Sequence, residues 1–321
     1  LSFSFDWFKK DTKDMLMERP IPLYVGSGSP LSNVGTLTNQ GIELEVGYKL
    51  SVDKVNLSFL ANASYVKNEI KHLGNQTGYI DKESLPTLGT VSRNQNGYPI
   101  GYFFGYKAIG VFQTQEEIDN YISPATGKPI QPNAVPGDTK FEDLNGDGVI
   151  SDDNEDRTMI GKPNPDWMVG LTVAADWNGF DLSAFFQGSF GADVFDALRR
   201  YELAAVNYTS DALERWTGPG TSNSMPRIVL GDTPKNFRPS TLLVHDASFL
   251  RLRNLQVGYT LPAQLTRKAY IQRLRFYASF DNLLTITGYK GMDPEIGSTM
   301  GIDKGVYPQA RVYTFGLNLT F

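Results

Sequence analysis

The chain of 321 residues contains no cysteine. Disulfides, thiol nucleophiles and cysteine-based zinc sites are thereby excluded, and the absence suits an exported protein that must avoid misoxidation in transit. Histidine is almost as scarce. His72 and His245 stand far apart, which leaves little basis for a histidine-dependent triad or a histidine-rich metal centre. No run of about 18 apolar residues occurs, so transmembrane helices are excluded. Alternating strands of about 10 residues would escape such a scan, because their hydropathy averages to neutral. A basic face is also lacking: with a net charge of -5 and scattered Lys and Arg, nucleic acid is not an expected partner.

What the chain has is alternation. In the final strand Tyr313, Phe315, Leu317, Leu319 and Phe321 share one face, while Val312, Thr314, Gly316, Asn318 and Thr320 share the other. An apolar face backed by a small or polar one suits a wall between lipid and water. Thr314, Gly316, Leu319 and Phe321, placed at the chain end, resemble the C-terminal assembly signal of Gram-negative outer-membrane barrels, which implies handling by the barrel assembly machinery. The same period appears in Leu1, Phe3, Phe5 and Trp7, and in Ile42 to Leu50 opposite Glu43, Glu45 and Lys49. It recurs from Val55 to Tyr65, from Trp167 to Ala175, from Leu182 to Phe186, and over 249–261 and 271–287. Charged residues such as Glu43 and Glu45 suit a wet lumen rather than a dry core.

Punctuation between these segments predicts short turns on one side and long loops on the other. Ser51 to Lys54 and Asn178-Gly179 read as hairpin turns, the latter because a type I′ turn needs positive φ at both central positions. The Pro/Gly/Ser stretch 19–35, the region after Phe186 with a short helix around 196–206, and 289–307 read as loops. The glycine- and aromatic-rich segment 98–112 reads as one strand or a bent one. The count expected is nine or ten strands of about 9–11 residues, enough to cross the hydrocarbon layer when tilted. Trp7, Trp167, Trp177, Tyr65, Tyr259 and Tyr289 are expected in interfacial girdles. The opening residues are already a strand pattern without signal-peptide features, so Leu1 is expected to lie inside a longer polypeptide.

One segment carries metal-ligand spacing. The stretch from Asp143 to Ser151 matches the first nine positions of an EF-hand-type loop: oxygens of Asp143, Asn145 and Asp147 converge, Gly146 bends the chain, and Val149 offers its carbonyl. Asn154 stands where a bidentate glutamate is expected, with Asp152, Asp153, Glu155 and Asp156 close by. Asp143, Asn145, Asp147, Val149, Ser151 and Asp153 are thus candidate ligands of a structural Ca2+, and the competing reading is an Asx-rich turn that binds no ion. No helix pair brackets the loop, so a calcium sensor is not expected. The carboxylate pairs Glu43/Glu45 and Asp293/Glu295 need no catalysis to explain them, and no enzyme is expected.

Several segments together resemble the C-terminal barrel region of the SusC/RagA family of TonB-dependent outer-membrane transporters. They are Asn33-Val34-Gly35 with Asn39-Gln40-Gly41-Ile42-Glu43, then Gly97 to Gly101, Phe104-Gly105-Tyr106 and Gly110-Val111-Phe112. Asp143 to Ile150 with Asp156-Arg157-Thr158 follows, then Pro163-Asn164-Pro165-Asp166, Ser248 to Asn254, Gly258 to Pro262, and Asp281 to Tyr289 with Asp293-Pro294-Glu295. The resemblance covers essentially the whole chain. It implies an all-β fold: the C-terminal strands of a transmembrane antiparallel barrel of roughly 22 strands, with long extracellular loops and the plug and signal peptide outside residues 1–321. It also implies residence in outer-membrane lipid, a SusD-like lipoprotein as lid, TonB as energy source through an N-terminal part, and import of oligosaccharides or oligopeptides. Tyr102, Trp216 and Tyr289 are loop aromatics that could touch such a substrate or pack against neighbouring loops. The competing function is a secreted, soluble, carbohydrate-binding β-domain.

Overall fold

Alternation of apolar with small or polar residues builds one antiparallel sheet in which each strand pairs with its successor. The computed structural model describes residues 1–18, 26, 30–199, 201, 203, 206–296 and 300–321. Its eight wall strands are β1 (Ser2–Glu18), β2 (Leu31–Val52), β3 (Val55–His72), β4 (Trp167–Trp177), β5 (Phe180–Phe190), β6 (Phe249–Thr260), β7 (Arg273–Thr287) and β8 (Val312–Thr320). They lie in sequence order across the sheet, the layout of an up-and-down barrel wall. No described helix is long and apolar enough to cross a membrane.

The connections are asymmetric. At one rim, Asp53-Lys54 and Asn178-Gly179 close hairpins, with φ of 53° at Asp53, 48° at Asn178 and 87° at Gly179. A short helical link joins β6 to β7 at the same rim. At the other rim stand the long excursions 73–166, 191–248 and 288–311. Short turns mark the periplasmic side of such a wall and long loops the extracellular side.

The face carrying Phe3, Phe5 and Trp7 is exposed, as are Leu171, Phe276, Phe315 and Phe321 on the same side of the sheet. Trp167 and Trp177 bracket this face on β4. They are ten residue steps apart, about 33 Å along a strand and about 25 Å in height at a tilt near 40°, the thickness of the apolar band of an outer-membrane barrel. Beside Trp167 stands Tyr65, ring centres 5.0 Å apart, and beside Trp177 stand Phe180 at 6.2 Å and then Tyr259 at 4.4 Å from Phe180. These residues form the expected girdles. Tyr289 does not: it is buried above the wall and donates its hydroxyl to Asp303 at 2.6 Å.

The count and lengths also differ from expectation, with eight wall strands of 9 to 22 residues. The segment 98–112 is not in the wall. It forms Tyr102–Gly105 and Ala108–Val111, which belong to separate small sheets. Tyr102, Phe103 and Phe104 are consecutively buried, so the segment has no lipid side and no water side. Strand β2 begins at Leu31, inside the stretch read as a loop; residues 19–25 and 27–29 lie outside the described residues. Where a helix was expected near 196–206 the chain forms strand Asp193–Asp196 and, further on, a 3-10 turn Ser210–Glu214, with residues 200, 202, 204 and 205 outside the described set.

The main buried apolar clusters lie in the loops and at their junction with the wall. Val91, Phe103, Phe195, Leu243 and Ile302 pack together from all three long loops. Strand Asp193–Asp196 ties two of them, pairing with Val244–Asp246 on one side and Ile302–Asp303 on the other. Because a wall strand has lipid or water on each face, its residues cannot form a shared interior, whereas folded loops can.

Candidate functional site

The side of the wall facing away from the aromatic surface carries the polar set. Glu43 and Glu45 lie there, opposite Ser64 and Asn62 on β3 and Asp6 and Ser4 on β1. Nearer the turn rim, Arg275 reaches over β6 to hold Asp181 with two bonds of 2.8 and 2.5 Å. Gly258 lies between them: a Cβ there would collide with the guanidinium and the carboxylate. Gly316 similarly makes room for the ring of Tyr277. Thr314 and Gly316 are thus lumen-facing, while Leu319 and Phe321 are exposed on the outer side.

At the loop rim an ion cluster fixes the last loop to the wall. Arg251 is buried and donates to Thr285 at 2.9 Å, Asp293 at 2.5 Å and Glu295 at 3.0 Å. A bulge between Leu252 and Asn254 brings Arg253 alongside, and it donates to both oxygens of Glu295 at 2.6 Å and to Gln187 at 2.6 Å. Burial would raise the Asp293 carboxyl, but the backbone N–H groups of Gln309 and Glu295 and the Arg251 guanidinium outweigh it and hold its pKa below the usual carboxylate range. The pair Asp293/Glu295 is therefore an anchor of loop 288–311.

Around the calcium-type spacing the structure shows a loop closed by its own hydrogen bonds. The Asp143 carboxylate accepts from the N–H groups of Gly146 and Gly148, both at 2.8 Å, Asn145 accepts from Asp147, and Asp147 accepts from Val149. Asp153 takes the Ser151 hydroxyl and the Glu155 N–H. Closure comes from fully buried Asp156, which accepts from Leu144 and Ser151. Among the described residues no three His, Cys, Asp or Glu side chains gather as a metal-binding group. The spacing alone does not single out Asp156 for this role, since it stands two positions past Asn154 with Glu155 between. Its neighbour Arg157 lies over the Phe104 ring at 4.3 Å and donates to the carbonyls of Phe104 and Thr90.

The loop aromatics are committed to packing. Tyr102 is buried and bonded to Gln95, and the Trp216 indole donates to Gln113 at 3.1 Å. His245 stands between loops, 3.7 Å from Asp196 and flanked by Arg199, whereas His72 is exposed at the end of β3. Burial, helped by Arg199, pushes the His245 imidazole below its ordinary pKa of 6.5. Where loop and wall meet, a crevice of about 670 Å³ opens beside Ile100, Met159, Asn164 and Met168. Asn68 supports it by accepting from the Ile100 N–H at 2.8 Å and donating to Asn39 at 2.6 Å.

Comparison with known proteins agrees with this architecture. A family model described as TonB dependent receptor-like, beta-barrel matches residues 1–283. TonB-dependent receptor P3 of Formosa agariphila is 33% identical over 337 residues, covering 100% of this chain and 32% of that protein. TonB-dependent receptor SusC of Bacteroides thetaiotaomicron is 30% identical over 98% of this chain and 30% of its own length. Among solved structures, the RagAB peptide transporter superposes with a TM-score of 0.78 and 27% identity over 99% of this chain and 33% of that one. The chain thus spans about a third of the length of these relatives. Wall, girdles, loop domain and matches together place it in the TonB-dependent receptor β-barrel family, of the SusC/RagA type, in the outer membrane.

Proposed function

We propose that these residues form a C-terminal section of the barrel of a TonB-dependent importer, which carries oligosaccharides or oligopeptides across the outer membrane under a SusD-like surface lipoprotein. The observation that carries this reading is the asymmetry of the wall. An apolar outer face about 25 Å high is backed by a charged inner one, and all three described long loops fold together at one rim. A folded loop domain gives a rigid rim for a lid and lines the mouth of the lumen. The crevice beside Ile100 and Met168 has the mixed apolar and polar lining that suits a segment of either polymer. A soluble carbohydrate-binding domain would need a second layer over Phe3, Phe5, Trp7 and Phe315, and none of the described small sheets covers them. Deleting the gene and supplying oligosaccharides or oligopeptides as sole nutrient tests the proposal. Growth should fail on one polymer class and return with the intact gene, whereas undiminished growth on both would contradict it.

In this reading the loop Asp143 to Asp156 is structural, and calcium adds to a hold that its hydrogen bonds already provide. Calcium should raise the melting temperature of the full-length protein by a few degrees and magnesium should not, because the loop's oxygen spacing suits the larger ion; no calcium shift would remove the ion from the account. Leu319 and Phe321 serve assembly. Deleting Phe321 should lower the fraction of heat-modifiable barrel in membranes, and an undiminished fraction would remove that role.

A further inference from the structure

On the outer face of β1, β2 and β3 the apolar surface stops along one row of cross-strand partners. Trp7, Ile42 and Tyr65 stand side by side as its last members. Two residues nearer the loop rim, with the same parity and so on the same face, stand Lys9, Gln40 and Lys67. Asp11, Thr38 and Glu69 form the row beyond. Both acids there are engaged: Asp11 accepts the Thr38 hydroxyl at 2.6 Å, and Glu69 pairs with Lys71 at 2.6 Å. Lys9 and Lys67 are exposed, and among the described residues neither has an ion-pair partner. Their strands are two steps apart, about 10 Å. Between them lies a recess of about 50 Å³ lined by Lys9, Thr38, Gln40, Lys67, Glu69 and Lys71, room for more than one water.

We propose that Lys9, Gln40 and Lys67 bind the phosphate of an outer-leaflet lipid headgroup. Height is the first reason. Two residues above the aromatic belt is about 7 Å along the strand, where acyl chains give way to headgroups, and the lysine stems can lie on the belt while their ammonium groups reach upward. Charge is the second, since two unpaired ammonium groups flank an amide that can donate to the same anion. Asymmetry is the third. Toward the turn rim Lys49 on β2 and Arg273 and Arg275 on β7 share the inward parity, whereas the outward Lys9 of β1 and Lys67 of β3 stand on the loop side. A plug or lumen-bound substrate cannot cover this face, because it lies outside the wall. The site rests on the outer-membrane assignment of the barrel and is independent of what the barrel imports.

The test uses the full-length receptor in nanodiscs of zwitterionic phospholipid, titrated with phosphorylated lipid A and with the same glycolipid after phosphatase treatment. The phosphorylated form should bind more tightly. Lys9→Gln combined with Lys67→Gln should weaken it about thirtyfold, the effect of two lysines at about 1 kcal/mol each. Lys9→Arg with Lys67→Arg should retain the preference, as should Lys268→Gln at the opposite rim. Equal binding of the two glycolipids by the unaltered receptor would overturn the proposal even if the glutamine variant failed to assemble. So would an undiminished preference in that variant, or displacement of lipid A by an equal concentration of inorganic phosphate, which would point to a free anion.

Discussion

Arg251 is charged yet almost wholly buried, a state that survives only because Thr285, Asp293 and Glu295 occupy its donors. Arg251→Ala should strand the buried Asp293, while Glu295 keeps Arg253, and cost about 3–5 kcal/mol, read as easier release of loop 288–311 to limited proteolysis. Unchanged protection would show that the cluster does not anchor the loop. His245 supplies a pH dependence whose sign follows from its lowered pKa. Between the folded and unfolded values the unfolded chain binds more protons, so stability present above about pH 6.5 is lost as the pH falls below it. The loop domain should melt earlier at about pH 5.5 than at about pH 7.5, and His245→Gln should flatten that difference. An equally steep loss in the variant would assign the effect to other groups.

At the scale of the element, a wall strand has two environments one residue apart. Leu171 sits near the middle of β4 on the outer face, and Thr172 faces the lumen. Leu171→Arg should cost about 2–4 kcal/mol in urea unfolding from lipid, and Thr172→Arg less than about 1 kcal/mol; equal costs would contradict the assigned faces. This two-sidedness is why the wall was legible in the sequence. Val55 to Tyr65 and Trp167 to Trp177 show their faces without any knowledge of their neighbours. The start of β2 was harder to read, because Leu31 to Gly35 continue a Pro/Gly/Ser stretch and resemble loop residues. For Tyr102–Gly105 the strand was legible but its place outside the wall was not, because it is four residues long and buried on both sides by partners far away in the chain. Tyr289 was misplaced for a related reason, since a girdle tyrosine and a buried loop tyrosine look alike until Asp303 is seen beside the hydroxyl.

Across the whole molecule, two structures share one chain. A sheet without an interior of its own derives its order from lipid on one side and water on the other, and a loop domain with a conventional apolar core stands on its rim. The ion cluster at Arg251 and Arg253 joins the two where β6 and β7 meet loop 288–311. Part of the candidate calcium loop was legible as a motif, whereas its closure by Asp156 depended on how the chain folded back. The absence of cysteine from these residues makes the central claim directly measurable. Single cysteines at 168–176 of β4, labelled with a fluorophore in the full-length receptor in vesicles, should alternate strictly. Labels at Val169, Leu171, Val173 and Ala175 should be quenched by spin-labelled lipid, and those at Met168, Gly170, Thr172, Ala174 and Asp176 by a water-soluble quencher. Uniform quenching by the water-soluble reagent at both sets would mean that this face does not meet lipid and would contradict the account.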